Sequence, residues 1–210
     1  MAVVIDQSDV ERIRSSGQWA RAAVWGDPRP GHPEGTIGRH VEEQVLPFID
    51  AHYRGLAEYW SLVALAYLHD IGKPDVDFRD GRVRGESHSI LSMRIAAELG
   101  APESLQQVIR LNDRAFSHWR KLLGKSGEWD VERWTESRRA AFVEEFAPGA
   151  VDLRLLVLFH RADNGYRRAD RIDESIDPVF WFENRLVEEG LVDSLPPEAK
   201  DQRLDWKPAN

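Results

Sequence analysis

Apolar positions recur along this chain with helical spacing almost throughout. The densest block is Leu62 to Leu68, a run of Leu, Val, Ala and Tyr without a charge, which stops at His69-Asp70-Ile71-Gly72-Lys73-Pro74. Ala and Leu dominate the run and only Val63 is β-branched, so it predicts a buried helix over about 56–70 rather than a buried strand. Gly72 and Pro74 are the stop signals expected one to three residues past a last helical turn. Val41, Val45, Phe48 and Ile49 stand at i, i+4, i+7 and i+8, which predicts an amphipathic helix over about 36–52, with a bend expected at Pro47.

Capping and breaker residues divide the rest. Ser8-Asp9-Val10-Glu11 has the capping-box form and opens a first helix to about residue 25, followed by a breaker-rich loop over 26–38. Residues 74–86 place an Asp-Gly turn between two short alternating pieces, the pattern of a small hairpin. Ser87 is the expected N-cap of a helix over 88–99 closed by Gly100, and Pro102 at a first helical position opens another to about 116. Residues 117–129 follow no clear period. Asp130 is the expected cap of a helix to about 146 ended by Pro148-Gly149, and further helices are expected over 151–171 and 178–189, the last stopped by Gly190. The charged, Pro-containing tail from Pro196 is expected to be loosely held. With no repeat or heptad seam, the pattern predicts a single all-α globular bundle of seven to nine helices.

Composition narrows the chemistry. The 210 residues suit one domain with terminal extensions. A net charge of −8 argues against general nucleic-acid binding through a basic face, though a local basic pocket stays open. Cysteine is absent, so any metal must be held by His, carboxylate or water. No apolar run reaches the ~18–20 residues of a membrane span. The start, Met1-Ala2-Val3-Val4-Ile5-Asp6, lacks the form of a signal peptide, so a soluble, cytoplasmic protein without a membrane partner is expected. Exposed apolar helices leave a homodimer open.

The helix ending in His69-Asp70 delivers an imidazole, a carboxylate and, at Lys73, an ammonium to the end of an apolar rod. A lone His there is accounted for by the helix dipole. The triplet asks for more, since burying even a neutral polar group without a partner costs on the order of 2–7 kcal/mol. A metal ion with an anionic ligand satisfies all three. His40, in the first turns of its predicted helix, and Asp163, where the apolar 151–171 segment turns polar, add two further candidate ligands. Such donors suit Mn²⁺, Fe²⁺, Co²⁺, Ni²⁺, Zn²⁺ or Mg²⁺.

In these residues the chain resembles the HD-domain superfamily of metal-dependent phosphohydrolases, whose pattern is His, then His-Asp, then a distant Asp on a helical bundle. The match is carried by His40, by Leu68-His69-Asp70-Ile71-Gly72-Lys73-Pro74 and by Asp163, and spans about residues 34–172. The resemblance implies an N-terminal helix and loop (1–30) packed on an HD core (31–175), with a C-terminal helix and tail (176–210). It implies metal ligation by His40, His69, Asp70 and Asp163, and hydrolysis of a phosphomonoester or phosphodiester, with a small phosphorylated substrate such as a nucleotide as partner. Asp70 or Asp163 would also orient the attacking water, and Lys73 would clamp the phosphate; as an alternative Lys73 is a solvated residue past a helix end.

Relatives with two metals place histidines between the His-Asp pair and the final Asp. His88 stands where the first of these belongs, but the second position falls near Leu111-Asn112-Asp113, where Asp113 could substitute or His118 reach in. One ion per chain is therefore favoured, with a second site open. His88 is either a contact to substrate phosphate or a weaker ion, or a plain helix-start histidine. His160 lies three residues before Asp163 and is either an aid to the site or a core histidine. His32 and His52 read as loop and surface groups. Arg79, Arg82 and Arg84 either frame an anionic substrate or line a solvated loop, and Arg161, Arg167, Arg168 and Arg171 read as a solvated helix face. Trp119, Trp129 and Trp134 read as core, an aromatic wall for a base being the other reading. Two alternatives accompany the phosphohydrolase: an HD-type di-iron oxygenase, and a non-catalytic regulatory domain that binds a nucleotide.

Overall fold

A helix that is apolar on every side can be satisfied only at the centre of a molecule. Helix α5 (Tyr59–Leu68) occupies that place: Leu62 to Leu68 are all buried, and α1, α4, α6, α7 and α9 pack around it. The structure, a computed structural model, describes residues 5–28, 33–79, 82–124, 128–147, 149, 151–164 and 177–196, with the backbone alone at 78, 79, 82 and 83.

The elements run α1 (Gln7–Arg14), α2 (Gly17–Ala23), α3 (Ile37–His40), α4 (Leu46–Tyr53), α5, α6 (His88–Glu98), α7 (Glu103–Arg120), α8 (Glu136–Glu145), α9 (Leu153–Asn164) and α10 (Pro178–Glu188). A π turn, Val41–Val45, joins α3 to α4 without a break, so the described residues form nine helical rods in an all-α bundle. The expected hairpin is present as a two-stranded antiparallel ladder, β1 (Asp77–Arg79) with β2 (Arg82–Arg84), Phe78 opposite Val83. No helix among the described residues is long and apolar enough to cross a membrane.

Local chemistry moves several boundaries. Asp6, not Ser8, caps α1, and Asp9 completes its capping box. The single helix expected over 8–25 is two: Ser15 Oγ folds back onto Glu11 O at 2.6 Å, and Ser16 Oγ accepts from Trp19 N at 3.1 Å to start α2. Hydroxyls of this kind compete with the helix ladder, and two in succession break it. Pro47 lacks the N–H that would bond Glu43 O, and the chain widens into a π turn just before it, closed by Leu46 N to Val41 O. Pro102 is the N-cap rather than the first residue of α7, which runs on to Arg120. Asp130 caps only a 3₁₀ turn, Val131–Arg133, and the helix expected there starts after Thr135. The part of the 151–171 helix beyond Asn164 lies outside the described residues, as do His32, Arg167, Arg168, Arg171 and the tail from 197.

The tryptophans of the unassigned stretch close one end of the core. Trp119 packs on Trp129 at 6.3 Å between centroids, Trp129 on Trp181 at 6.4 Å, and Trp134 on Trp181 at 5.3 Å, with Phe142 and Phe182 beside them. They pack against the core and hold α7, α8 and α10 together. Arg161 is the clearest correction. It is 3 % exposed, not solvated, and its guanidinium forks onto Glu183, itself 1 % exposed, at 2.5 to 3.0 Å, pinning α9 to α10.

Candidate metal centre

The imidazoles of His40 and His69 reach the site from two different helix ends. Thr36 Oγ1 caps α3 through Arg39 N, and His40 stands in its last turn, against the π turn. His69 is the residue after α5, and its Nδ1 lies 3.0 Å from Ala66 O and 3.3 Å from Leu65 O. A carbonyl only accepts, so His69 Nδ1 carries the proton and serves carbonyls at the end of the helix. His40 Nδ1 likewise lies 3.0 Å from Gln44 Oε1, four residues on, with Glu34 Oε1 at 3.6 Å. Both rings therefore turn Nε2 inward. This is the arrangement in which a ligating histidine spends its other nitrogen on a neighbouring acceptor.

Both Nε2 atoms converge on one oxygen. Asp163 Oδ1, from α9, lies 2.9 Å from His40 Nε2 and 3.4 Å from His69 Nε2. The ligand atoms of these three residues all fall within 4.8 Å of one another, and among the described residues no other group of three such side chains does so. Lone pairs of neutral imidazoles cannot face a carboxylate oxygen without a cation between them, whether a proton or a metal. Ligands held ~2.1 Å from a shared ion are about 3.0 Å apart at octahedral corners and about 3.4 Å at tetrahedral ones. The observed edges of 2.9 and 3.4 Å match those spacings, so the residues present fit a divalent ion.

Asp70 lies beside this group rather than within it. Its Oδ2 is 3.4 Å from His69 Nε2 and forms an ion pair with Lys73 Nζ, while its Oδ1 is 3.6 Å from His88 Nε2. His88 Nε2 also pairs directly with Asp113, so His88 and Asp113 stand together at the rim. His118 does not reach in. It is buried against Glu145 Oε2 at 2.7 Å, a carboxylate that Arg114 also holds.

Charge is concentrated here. Burial disfavours a charged His69, but Asp70 and Asp163 beside it outweigh that and hold its pKa well above the usual imidazole value. Burial would likewise neutralise Asp70 and Asp163. Lys73 and His69 hold the first carboxyl well below the ordinary range, and His69 and His40 hold the second there. Against burial, Asp70 raises Lys73, and Asp113 with Asp70 raises His88.

A supporting layer stands behind the carboxylate, in which the sequence singles out His160 but not Asn112. Asn112 Nδ2 donates to Asp163 Oδ2 at 2.9 Å, and His160 Nδ1 lies 3.2 Å from Asn112 Oδ1, which fixes the amide's orientation. The His160–Asn112–Asp163 chain places both residues behind the carboxylate. Gln44 was findable from its i+4 spacing to His40; Asn112 lies on α7, and no local spacing links it to α9. Gly72 follows the His-Asp pair for a reason other than helix termination. Its φ of −87° is ordinary. A Cβ there would sit 2.5 Å from Ser92 N and 2.8 Å from Leu91 C, and its N–H donates to Ser92 Oγ at 2.9 Å. Glycine lets the turn carrying Asp70 and Lys73 lie directly on α6, which begins at His88.

Of the remaining predicted groups, Arg84 is exposed, and the side chains of Arg79 and Arg82 lie outside the described residues. His52 is not a free surface group: it packs on Phe48 at 4.5 Å, and burial, with Arg161 nearby, pushes its pKa down. No family model matches the chain, nor does any curated protein or solved structure.

Proposed function

We propose that this chain is a metal-dependent phosphohydrolase of the HD-domain type, cleaving a phosphomonoester or phosphodiester, with a nucleotide as the substrate the resemblance implies. One observation carries the reading: His40 and His69 turn Nε2 onto a single Asp163 oxygen, while Asp70, Lys73 and His88 adjoin them. His40, His69 and Asp163 would hold the ion, with Asp70 at its edge. A divalent ion there supplies Lewis acidity to a phosphoryl oxygen and lowers the pKa of water.

The chain's own groups do the rest. Lys73 neutralises charge on the phosphoryl oxygens, as a fixed cation in a partly desolvated site does effectively. Asp70 accepts a hydrogen bond from the attacking water and orients it. His88, whose pKa Asp113 and Asp70 raise against burial, would give its proton to the leaving oxygen as the ester bond breaks. His160 and Asn112 hold Asp163 in place.

The test is elemental analysis of the purified protein beside a His69→Ala/Asp70→Ala double variant, followed by a phosphate-release screen on nucleotides with Mn²⁺, Co²⁺, Ni²⁺ and Mg²⁺. About one transition ion per chain, lost in the double variant, together with turnover, is the expected result. Two irons per chain would favour the oxygenase, and binding without turnover the regulatory domain. No ion after reconstitution would overturn the proposal.

A further inference from the structure

Trp25 lines the pocket that holds His40, Asp70 and Lys73, and the same residue lines the shallow groove outside it with Val24, Gly26, Asp27 and Pro28. It is 38 % exposed and Val24 is 76 % exposed, which leaves an apolar step at the mouth of an otherwise charged site. Single exposed apolar residues are ordinary on protein surfaces. A tryptophan shared between a pocket lined by Lys73, His40, Asp70 and Glu34 and the surface beside it is better explained by what the pocket takes.

The backbone fixes where Trp25 stands. Trp25 N donates to Ala22 O, and Ile37 N donates to Trp25 O, both at 3.0 Å, so the residue is tied both to the end of α2 and to the start of α3. The two segments lie almost in contact. A Cβ on Gly26 would come within 2.7 Å of Gly35 O, and one on Gly38 within 2.7 Å of Ala23 O. Gly26 also takes a φ of +110°, which favours glycine. The Trp25 backbone is thus clamped to the helix that carries His40, so only its side chain has to be ordered when a ligand arrives.

We infer that Trp25 is a specificity-determining wall that stacks on a flat aromatic ring joined to the substrate's phosphate, so that ring-bearing phosphate esters are selected over aliphatic ones. This rests on the phosphohydrolase reading for the anionic end of the ligand. Lys73 takes the phosphate, and Trp25, where the pocket meets the groove outside it, takes the ring. Stacking of this kind tolerates many rings, since each offers a π-face.

The test is titration calorimetry of the manganese-supplemented protein with phenylphosphonate and methylphosphonate, two non-hydrolysable anions that differ by the ring. Wild-type protein is expected to bind phenylphosphonate about tenfold tighter, equivalent to ~1.4 kcal/mol. Trp25→Ala is expected to bind both equally, at the methylphosphonate affinity, with metal content and helicity unchanged. Trp25→Phe is expected to keep most of the preference. Equal binding of the two by wild type, or a preference that survives in Trp25→Ala, overturns this inference alone. Failure of both anions to bind wild type overturns the phosphate-site reading and this inference with it.

Discussion

Asp163 is held from three sides, by His40 and His69 on one oxygen and by Asn112 on the other. Asn112 touches no ion in the proposed site, yet it decides which way the carboxylate faces. Asn112→Leu, close in size, keeps all the ligands and removes the donor, leaving Oδ2 without it and His160 Nδ1 without its acceptor. Partners of this kind typically contribute 10–100-fold to metal affinity, and a loss of about that size is expected in a chelator-competition titration. An unchanged affinity would show that Asp163 needs no such support. A second residue tests the outer structure independently of the metal. Burial would raise Glu145, but His118 and Arg114 pull its pKa down to about 2. A carboxyl lowered on folding binds fewer protons in the native than in the unfolded chain, so stability rises with pH. Its contribution is complete above the ordinary value of 4.5 and lost as pH falls through about 2. Urea midpoints at pH 6 and pH 3 are expected to differ more in the wild type than in Glu145→Gln; equal differences would remove Glu145 from acid denaturation.

At the scale of elements, the join between α5 and α6 depends on a missing side chain. Gly72→Ala would drive a Cβ into the backbone of Leu91 and Ser92, where no flexible side chain can yield. Overpacking of this kind costs about 1–3 kcal/mol. Gly17, in the first turn of α2, has nothing within 4 Å of a Cβ and is the control. Thermal melts are expected to show Gly72→Ala destabilised and Gly17→Ala neutral or slightly stabilised; a neutral Gly72→Ala would mean that the two elements slide apart cheaply. The same element shows what the sequence could and could not reveal. An uncharged apolar run ending in His-Asp has no stable place except the centre, with its polar end at a site, and both α5 and the convergence of His40, His69 and Asp163 follow that logic. Gly72 had two physical uses, terminating a helix or admitting a neighbour, and only the position of α6 decides between them. Arg161 and His118 were illegible for a similar reason. Their partners, Glu183 and Glu145, stand 22 and 27 residues away on other helices, and nothing in local spacing pairs them. The break at Ser15-Ser16 turned on which neighbouring polar atom each hydroxyl chose, a competition of about 1 kcal/mol that pattern alone does not resolve.

For the whole molecule, the candidate site joins distant parts of the chain. His40 and Asp163 are 123 residues apart in sequence, and His69 brings in the central helix, so all three side chains meet only when α3, α5 and α9 are packed together. An ion that recognises this arrangement binds the native state and not the unfolded chain, and it stabilises the fold by RT ln(1 + [L]/Kd), ~2.7 kcal/mol at a hundredfold excess over Kd. In a chain of this size each kcal/mol moves Tm by about 2–4 °C, so saturating Mn²⁺ or Co²⁺ is expected to raise Tm by roughly 5–10 °C. Chelation should reverse the rise. In Asp163→Ala the two imidazoles lose the oxygen they share, and Tm should be insensitive to the ion whatever its starting value. The ion-dependent difference within each protein is therefore the quantity that decides, since the variant's own stability cancels from it. A rise of the same size in wild type and Asp163→Ala would place the ion elsewhere and detach the stability of the bundle from this centre. No rise in the wild type would leave protonated His69 as the cation that holds Asp163, and the centre would then be a buried ion-pair network rather than a metal site.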